Sequence, residues 1–377
     1  MQVRAVTFFA SAATLRDPAR LANGERFAAA LKARIEAAGI TVQSLRLATP
    51  PAQDWLRAPA ELPAAAQRLE ADAVAAGFKH CAIGTLRAGA DQPDWIAQVP
   101  AALAGTQWLF CSADLLAATP AAFDASAQAV LAISRLGADG FANLRFAAAY
   151  GVPVGAPFFP AATSGQEDGF SIAIEAADVA VDALPGGGDL AVFEARLAAR
   201  LEQQLAPLAT LAEANAGGYR FHGIDCALAP YPQPARSLGT VIEALAGVPL
   251  GGAGVLAAVA ALRRAVAAAR FPRAGFCAPM LIVLEDAGLA AANRAGAFGW
   301  GDLLAASAAG SCGPDVVPLP GDVPVARLAA AYADMQAVAQ AVRRPLEMRV
   351  LPLPGRGVGD ATEFSFDYFA PGRVMAL

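Results

Sequence analysis

The feature that most constrains the fold is a regular alternation of short apolar segments with alanine-rich segments of helical periodicity. Segments 3–9, 40–48 and 78–84 have the β-branched and apolar content of strands, and segments 16–39 and 63–77 between them have the spacing of amphipathic helices. Strands that alternate with helices favour parallel pairing with helical crossover connections. The sequence therefore predicts an α/β protein.

The same alternation continues to the end of the chain. Further strands are predicted over 108–113, 170–176, 221–230, 276–286 and 346–355, and further helices over 120–137, 189–218, 237–247, 252–270 and 325–344. Pro207 predicts a break in the longest of these helices. No linker divides the chain, so we expect one large α/β domain over residues 1–377.

Composition excludes several classes of protein. Charged residues make up only 16% of the chain, which argues against disorder, and the net charge is −5 with no run of lysine or arginine, which argues against a nucleic-acid partner. No uninterrupted apolar stretch is long enough for a membrane span. Five cysteines without a CxxC pair fit reduced thiols, so we expect a cytoplasmic protein.

The first residues allow a second interpretation. Ala10-Ser11-Ala12 follows a short apolar run and is similar to a signal-peptide cleavage site. The run is short and is preceded by one arginine, so a buried first strand is the favoured interpretation.

Acidic residues lie within or just after several apolar strands. Asp225 interrupts one strand, Glu285 and Asp286 end another, and Asp315 and Asp322 follow in a proline-rich loop. A buried charge is costly unless it is paired or functional. Converging carboxylates could bind Ca²⁺ or Mg²⁺ (Asp225, Asp286, Asp315, Asp322) or act as a general acid and base (Asp225, Glu285). The alternative is turn and helix capping, and Asp286 could cap a helix that begins near Ala287.

Four other residues are candidates for the same pocket. Cys312 lies on a glycine-flanked loop and is either a catalytic nucleophile or a small buried side chain. Substrate-binding candidates are Gly252, in a glycine-rich helix start that could bind an anion, Phe158, in a proline-rich loop, and Arg356.

Six blocks in the second half of the chain carry a family resemblance. They are "NLRFAAAYGVPVGAPFFPAA", "GFSIAIEAADVA", "GIDCALAP", "APMLIVLEDAGLA", "AASAAGSCGPDVVPLPGD" and "RPLEMRVLPLPGRGVGD", between about residues 143 and 360. In order and spacing they resemble domain-of-unknown-function family 711, whose bacterial branch is uncharacterised protein family 0210. The family's recurrent blocks match here at Asp225, Glu285, Asp286, Cys312, Asp315, Gly321 and Asp322.

The resemblance implies a fold but no established reaction. The family is similar in fold to the α/β barrels of pyruvate formate-lyase-type glycyl radical enzymes, which implies a large barrel-like parallel or mixed sheet with surrounding helices. The chain ends in "PGRGVGDATEFSFDYFAPGRVMAL" and lacks the Arg-Val-x-Gly-Tyr type motif, so no glycyl radical is expected.

Two functional hypotheses follow. The first is an enzyme of hydrolase or lyase type, with an acidic, cation-binding pocket for a small molecule at the barrel mouth. The second is a noncatalytic small-molecule sensor or binding protein, because the bacterial branch is associated with a small protein of the amino-acid-sensing type. A homo-oligomer is compatible with either hypothesis.

Overall fold

A computed structural model describes residues 1–184 and 189–377. Its principal element is a curled, mixed sheet of eight strands in the order β11-β5-β4-β3-β2-β1-β6-β7. These strands are β1 (Gln2–Phe9), β2 (Leu45–Pro51), β3 (His80–Gly84), β4 (Leu109–Asp114), β5 (Phe146–Tyr150), β6 (Gly169–Glu175), β7 (Arg220–Ala227) and β11 (Leu346–Met348). The α/β class expected from the sequence is confirmed.

Four shorter strands form two separate pairs. β8 (Leu281–Ile282) pairs with β9 (Pro314–Asp315), and β10 (Val317–Pro320) pairs with β12 (Val350–Leu353), both in parallel. The predicted final strand over 346–355 is thus two strands that belong to different sheets.

Helices surround the sheet. They are α1 (Pro18–Ala37), α2 (Leu62–Ala76), α3 (Gln92–Ala97), α4 (Val99–Ala104), α5 (Pro120–Ile133), α6 (Ala177–Asp182), α7 (Leu190–Ala214), α8 (Leu238–Ala246), α9 (Val255–Ala268), α10 (Ala287–Ala295), α11 (Trp300–Ala309) and α12 (Val325–Val342). α7 continues through Pro207, so the predicted break is wrong. The described helices include none that is both long and apolar enough to cross a membrane.

Helix α1 packs on the sheet through large apolar residues and a glycine on its inner face. The buried face of α1 includes Leu31 and Ile35, at the spacing of one helical turn. A Cβ on Gly24 of α1 would lie 2.4 Å from the ring of Phe8, so this glycine lets the helix approach β1 closely. The principal core therefore lies between the outer surface of the sheet and the helices.

Main-chain hydrogen bonds join the two edges of the sheet. Beyond β7, residues of the segment 273–279 form parallel bridges to Ile224 and Leu228. The Cys312 N–H donates to the carbonyl oxygen of Pro279 at 3.0 Å, and the Cys312 carbonyl accepts from the Glu347 N–H at 2.8 Å. Glu347 belongs to β11, whose other side pairs with β5. Main-chain hydrogen bonds thus link the two edges of the curled half-barrel sheet into a ring of segments around a lumen.

The strands of this ring run in two directions. β1 to β5 are parallel to one another, whereas β6 is antiparallel to β1, and β11 is antiparallel to β5. One mouth of the barrel lies where β6 ends in Glu175, and we call it the Glu175 mouth. The opposite mouth lies near the start of β7, and we call it the His222 mouth.

The loop 151–164 enters the lumen and is fixed there by hydroxyl groups of the barrel. Thr7 Oγ1 donates to the carbonyl of Pro157 at 3.1 Å, Thr85 Oγ1 to that of Ala161 at 3.1 Å, and Ser171 Oγ to that of Gly155 at 2.7 Å. Phe159 of this loop packs with Phe9, Ala48, Ala82 and Ala162 in a small apolar cluster separate from the principal core. The loop is therefore part of the barrel's interior.

The closure of the ring generates a prediction at Gly313. A Cβ there would lie 1.8 Å from the Glu347 carbonyl oxygen, and the residue has φ +126°. Gly313→Ala should lower the free energy of unfolding by about 3 kcal/mol or more, because the two segments would have to separate. Urea unfolding followed by circular dichroism measures this loss.

Gly39→Ala is the matched control. Gly39 also has positive φ (+85°), but a Cβ there would meet nothing within 4 Å, so its substitution should cost only about 1 kcal/mol. Equal losses in the two variants would contradict the tight approach of the two segments.

Candidate functional site

Asp225 lies inside the barrel, next to Ala173 of β6 in the sheet register. Its carboxylate accepts hydrogen bonds from the N–H groups of Phe276 at 2.7 Å and Cys277 at 2.8 Å. Burial raises the pKa of Asp225 to about 7, although the two N–H donors oppose the shift. A Cβ on Gly275 would lie 2.0 Å from Oδ2, so a glycine is needed beside this carboxylate.

Asp315 forms a bidentate ion pair with an arginine that the sequence analysis did not identify. Arg349 Nε lies 2.6 Å from Asp315 Oδ1, and Nη2 lies 2.8 Å from Oδ2. Burial alone would lower the pKa of Arg349, but the Asp315 carboxylate outweighs it and the pKa is raised. Both side chains are almost fully buried, so the pair is a fixed charged element of the interior.

Glu347 and Cys312 adjoin this pair. With Asp315, Gly313, Phe276 and Met280 they line a cavity of about 10 Å³, which holds at most one water molecule. Within the described residues Glu347 Oε2 is buried without a hydrogen-bond partner. Burial, and then the Asp315 charge, raise the pKa of Glu347 to about 8. The carboxyl group is therefore largely protonated at pH 7.

Cys312 has the environment of a buried structural thiol. Burial, followed by the charge of Asp225, raises the pKa of its thiol well above the ordinary value, and Sγ lies 3.5 Å from the carbonyl oxygen of Ala278. The thiolate is the nucleophilic form of cysteine. The alternative interpretation from the sequence, a small buried side chain, matches this geometry better than the nucleophile does.

Charged side chains converge at the Glu175 mouth. The carboxylate of Glu175, 2% exposed, accepts from Arg4 Nη1 and Arg236 Nη2, both at 2.6 Å, and from Gln43 Nε2 at 3.0 Å. The two arginines are each 23% exposed, so water reaches the mouth past them. Tyr368 of the C-terminal segment covers part of it, since Arg4 lies 5.2 Å from the centre of its ring.

Arg46 of β2 differs from the other arginines of this mouth. Its Nε donates to Ser44 Oγ at 3.1 Å, and its guanidinium lies 5.1 Å from the centre of the Phe159 ring. In the described part of the chain, no carboxylate lies within ion-pairing distance of Arg46. Burial, then the Arg4 charge, lower its pKa to about 9, so the guanidinium is still positive at pH 7.

Glu285 lies near the guanidinium groups of Arg4, Arg46 and Arg349. The residue is 8% exposed, and across residues 1–184 and 189–377 its carboxylate has no ion-pair partner within 4 Å. Burial raises its pKa, while Arg349 and then Arg4 oppose the shift. Asp315 and Glu175 raise the pKa further, so Glu285 is a buried carboxyl group among charges of both signs.

Asp286 has a structural environment. It is fully buried, and its carboxylate caps α10 through two N–H groups while it also accepts from Ser237 and from two N–H groups at the start of α8. Those main-chain donors are Gly288, Leu289, Leu238 and Gly239. The capping interpretation therefore accounts for this residue.

Three further candidates lie on exposed loops away from the buried carboxylates. Asp322 follows β10 in an exposed turn, Gly252 precedes α9, and Arg356 pairs with Glu363 at 3.2 Å on the surface. Phe158, by contrast, is buried in the loop 151–164. The structure thus does not bring Asp322, Gly252 and Arg356 to the barrel interior.

The donor set of the interior does not fit a hard cation. Asp225 and Asp286 already accept main-chain N–H groups, and Asp315 is held by a guanidinium. Ca²⁺ and Mg²⁺ need several free oxygen ligands without neighbouring positive charge. Among the residues that the structure describes, no group of three or more His, Cys, Asp or Glu side chains is arranged to hold a metal ion.

Arginines in apolar strands were the signal that sequence reasoning missed. Arg4 interrupts "MQVRAVTFF" and Arg46 interrupts "SLRLA", in the same way that Asp225 interrupts its strand. A buried charge of either sign requires a partner, so basic residues in strands are as informative as acidic ones.

Comparison with known sequences identifies the family. The model of a family described as "Uncharacterised ACR (DUF711)" matches residues 1–365. The chain belongs to this family. It is 37% identical over 151 residues to a UPF0210 protein of Methanosarcina barkeri, an alignment that covers 39% of this chain and 33% of the relative. The UPF0210 protein of Pyrobaculum islandicum is 30% identical over 264 residues, 67% of this chain and 57% of the relative.

A bacterial relative is also a UPF0210 protein. The UPF0210 protein of Lacticaseibacillus casei is 32% identical over 161 residues, which cover 42% of this chain and 35% of that protein. Across these three relatives, the chain spans between about a third and just over half of their length. The family assigned from the six blocks is thus confirmed.

The double cap at Asp286 predicts a large stability loss on substitution. Asp286→Ala removes the N-cap of α10 and the carboxylate acceptor of the first two N–H groups of α8, whose own N-cap is Ser237, so buried N–H groups lose their partner and the free energy of unfolding should fall by about 3 kcal/mol. Asp17→Ala is the control, because Asp17 caps only α1 and is exposed, and it should cost about 1 kcal/mol. Urea denaturation distinguishes the two values, and a loss at Asp286 no larger than at Asp17 would contradict the double cap.

The raised pKa values predict the direction of a pH dependence. Asp225 and Glu347 titrate near 3.8 and 4.5 when unfolded but at about 7 and about 8 when folded. Between these values the folded state binds more protons, so their contribution to stability is complete below about pH 4 and is lost as pH rises to about 8. Glu347→Gln should make the fall in unfolding free energy between about pH 6 and 8 less steep.

Chemical denaturation at several pH values measures this difference. Glu363→Gln, at an exposed side chain, should retain the wild-type slope and serves as the control. A Glu347→Gln slope equal to that of the wild type would show that Glu347 does not titrate in this range.

Proposed function

We propose that the protein is an enzyme of hydrolase or lyase type that acts on a small anionic molecule at the Glu175 mouth. Arg46 binds the anionic group, and Glu285 transfers a proton to or from the substrate. The observation that carries this proposal is the guanidinium of Arg46, positively charged and without a carboxylate partner among the described residues, in the same mouth as Glu285.

The anion-binding role of Arg46 follows from its surroundings. Arg46 is half-buried, and taking a guanidinium partly out of water is costly unless an anion compensates it. Arg4, Arg236 and Arg349 pair with Glu175 or Asp315. Among the described residues Arg46 contacts Ser44 and the face of Phe159, and the charges of Glu175 and Glu285 act on it from beyond ion-pairing distance. A carboxylate or phosphate on the substrate would supply the missing charge, in the bidentate geometry that arginine favours.

The role of Glu285 follows from the factors that set the pKa of its carboxyl group. Burial favours its neutral form, whereas the charges of Arg349 and Arg4 favour the carboxylate. A buried carboxyl group whose pKa is raised is suited to donate or accept a proton.

The relation to the glycyl radical enzyme barrels is a further part of the proposal. The closed ring of two oppositely directed parallel sets of strands supports a kinship of fold with pyruvate formate-lyase-type enzymes. It supports no radical step, because the chain lacks their glycyl motif.

Ligand binding and turnover test the two roles separately. The purified protein is screened by thermal shift against small carboxylates and phosphate esters, and each compound that stabilises it is followed by NMR for turnover. Arg46→Gln should weaken binding of such a compound at least tenfold, about 1.4 kcal/mol. Glu285→Gln should retain binding and lose turnover.

Arg200→Gln is the control, since Arg200 is exposed on α7. Equal binding by the wild type and Arg46→Gln would refute the proposed anion site. Binding without turnover in the wild type would favour the alternative, a noncatalytic small-molecule sensor.

A further inference from the structure

A larger cavity opens at the opposite, His222 mouth of the barrel. Its volume is about 600 Å³, within the range of small-molecule sites. Arg220, His222, Arg263, Arg273 and Phe276 are among its lining residues. Nothing in the function proposed for the Glu175 mouth uses these side chains.

The cavity carries an excess of positive charge. Arg263 of α9 is half-buried, and the described residues include no carboxylate within ion-pairing distance of it. Arg220 has Glu167 at 3.9 Å, but both side chains are mostly exposed, so this pair is weak. Asp225, next to the lining residue Gly275, already accepts hydrogen bonds from main-chain N–H groups.

Arg273 is held rigidly in this wall. Its Nη2 donates to the carbonyl groups of Val266 and Ala267 at 2.9 Å each, at the C-terminal end of α9. Its guanidinium also lies 4.6 Å from the centre of the Phe271 ring. A guanidinium that is fixed before a ligand arrives loses little conformational entropy on binding.

His222 contributes a neutral donor or acceptor. Its ring packs edge-on against Phe9, with 5.5 Å between ring centres, and a Cβ on Gly155 or Gly169 would lie within 2.7 Å of it. The two glycines therefore leave room for the ring. Burial, and then the Arg220 charge, lower the pKa of His222, so the imidazole is uncharged at pH 7.

We propose that the cavity at the His222 mouth binds a small phosphorylated molecule. Arg263, Arg220 and Arg273 surround the phosphate group, whose double negative charge suits several guanidinium groups better than a single carboxylate does. The remainder of the molecule packs against Phe276 and the apolar wall at Val154. The site is separate from the Glu175 mouth and does not depend on the function proposed there.

Calorimetric titration of the full-length protein with pyrophosphate and with inorganic phosphate tests this proposal. The wild type should bind pyrophosphate, and Arg263→Gln should weaken that binding at least tenfold. Arg264→Gln is the matched control, because Arg264 is the next residue of α9 but pairs with Glu194 outside the cavity, and it should bind within about twofold of the wild type. Circular dichroism confirms that each variant is folded.

Two further titrations complete the test. Arg200→Gln, at an exposed residue of α7 that does not line the cavity, should bind pyrophosphate as the wild type does, which assigns the loss in Arg263→Gln to the His222 mouth. Citrate should bind at least tenfold more weakly than pyrophosphate.

Three results would overturn the proposal. The first is no binding of pyrophosphate or phosphate up to about 10 mM. The second is unchanged affinity in Arg263→Gln, and the third is citrate affinity equal to that of pyrophosphate, which would identify a carboxylate site instead.

Discussion

The rest of the structure depends on the seam where Cys312 joins the two edges of the sheet by main-chain hydrogen bonds to Pro279 and Glu347. These bonds link the two edges of the curled half-barrel into a ring of segments, and most of its interior is screened from bulk water. Polar and charged side chains that point inward must then find partners among themselves or in the loop 151–164. The bidentate pair of Asp315 with Arg349 and the network around Glu175 satisfy that requirement.

The same constraint explains why two side chains of the interior are functional candidates. Arg46 and Glu285 lie among paired charges, yet neither has an ion-pair partner of its own within the part of the chain that the structure describes. Partial removal from water makes an unpaired guanidinium costly, and a ligand anion at Arg46 would offset that cost. The two mouths differ in character, since acids and arginines mix at the Glu175 mouth, whereas arginines predominate around the cavity at the His222 mouth.

The fold could be predicted from the sequence further than the site could. The periodicity of apolar residues located most of the strands and helices, including the helix capped by Ser237, because local patterns determine which face of an element is buried. The same periodicity predicted one strand over 346–355, where the structure has two. These strands, β11 and β12, are separated only by Arg349 and pair with different partners. Which acids are functional could not be predicted, because capping and catalysis require the same residue types. Asp286 caps two helices, whereas the adjacent Glu285 lies near Arg4 and Arg349.

The sequence by itself determined the α/β class, the family and the presence of buried charges in apolar strands, since each depends only on residue type and spacing along the chain. Only the tertiary structure decided how those charges combine. Asp315 and Arg349 are 34 residues apart, and Arg4 and Glu175 are 171 apart. Their pairing follows from strand order and ring closure. Both are set by contacts between segments far apart in the chain, so no local sequence pattern predicts them.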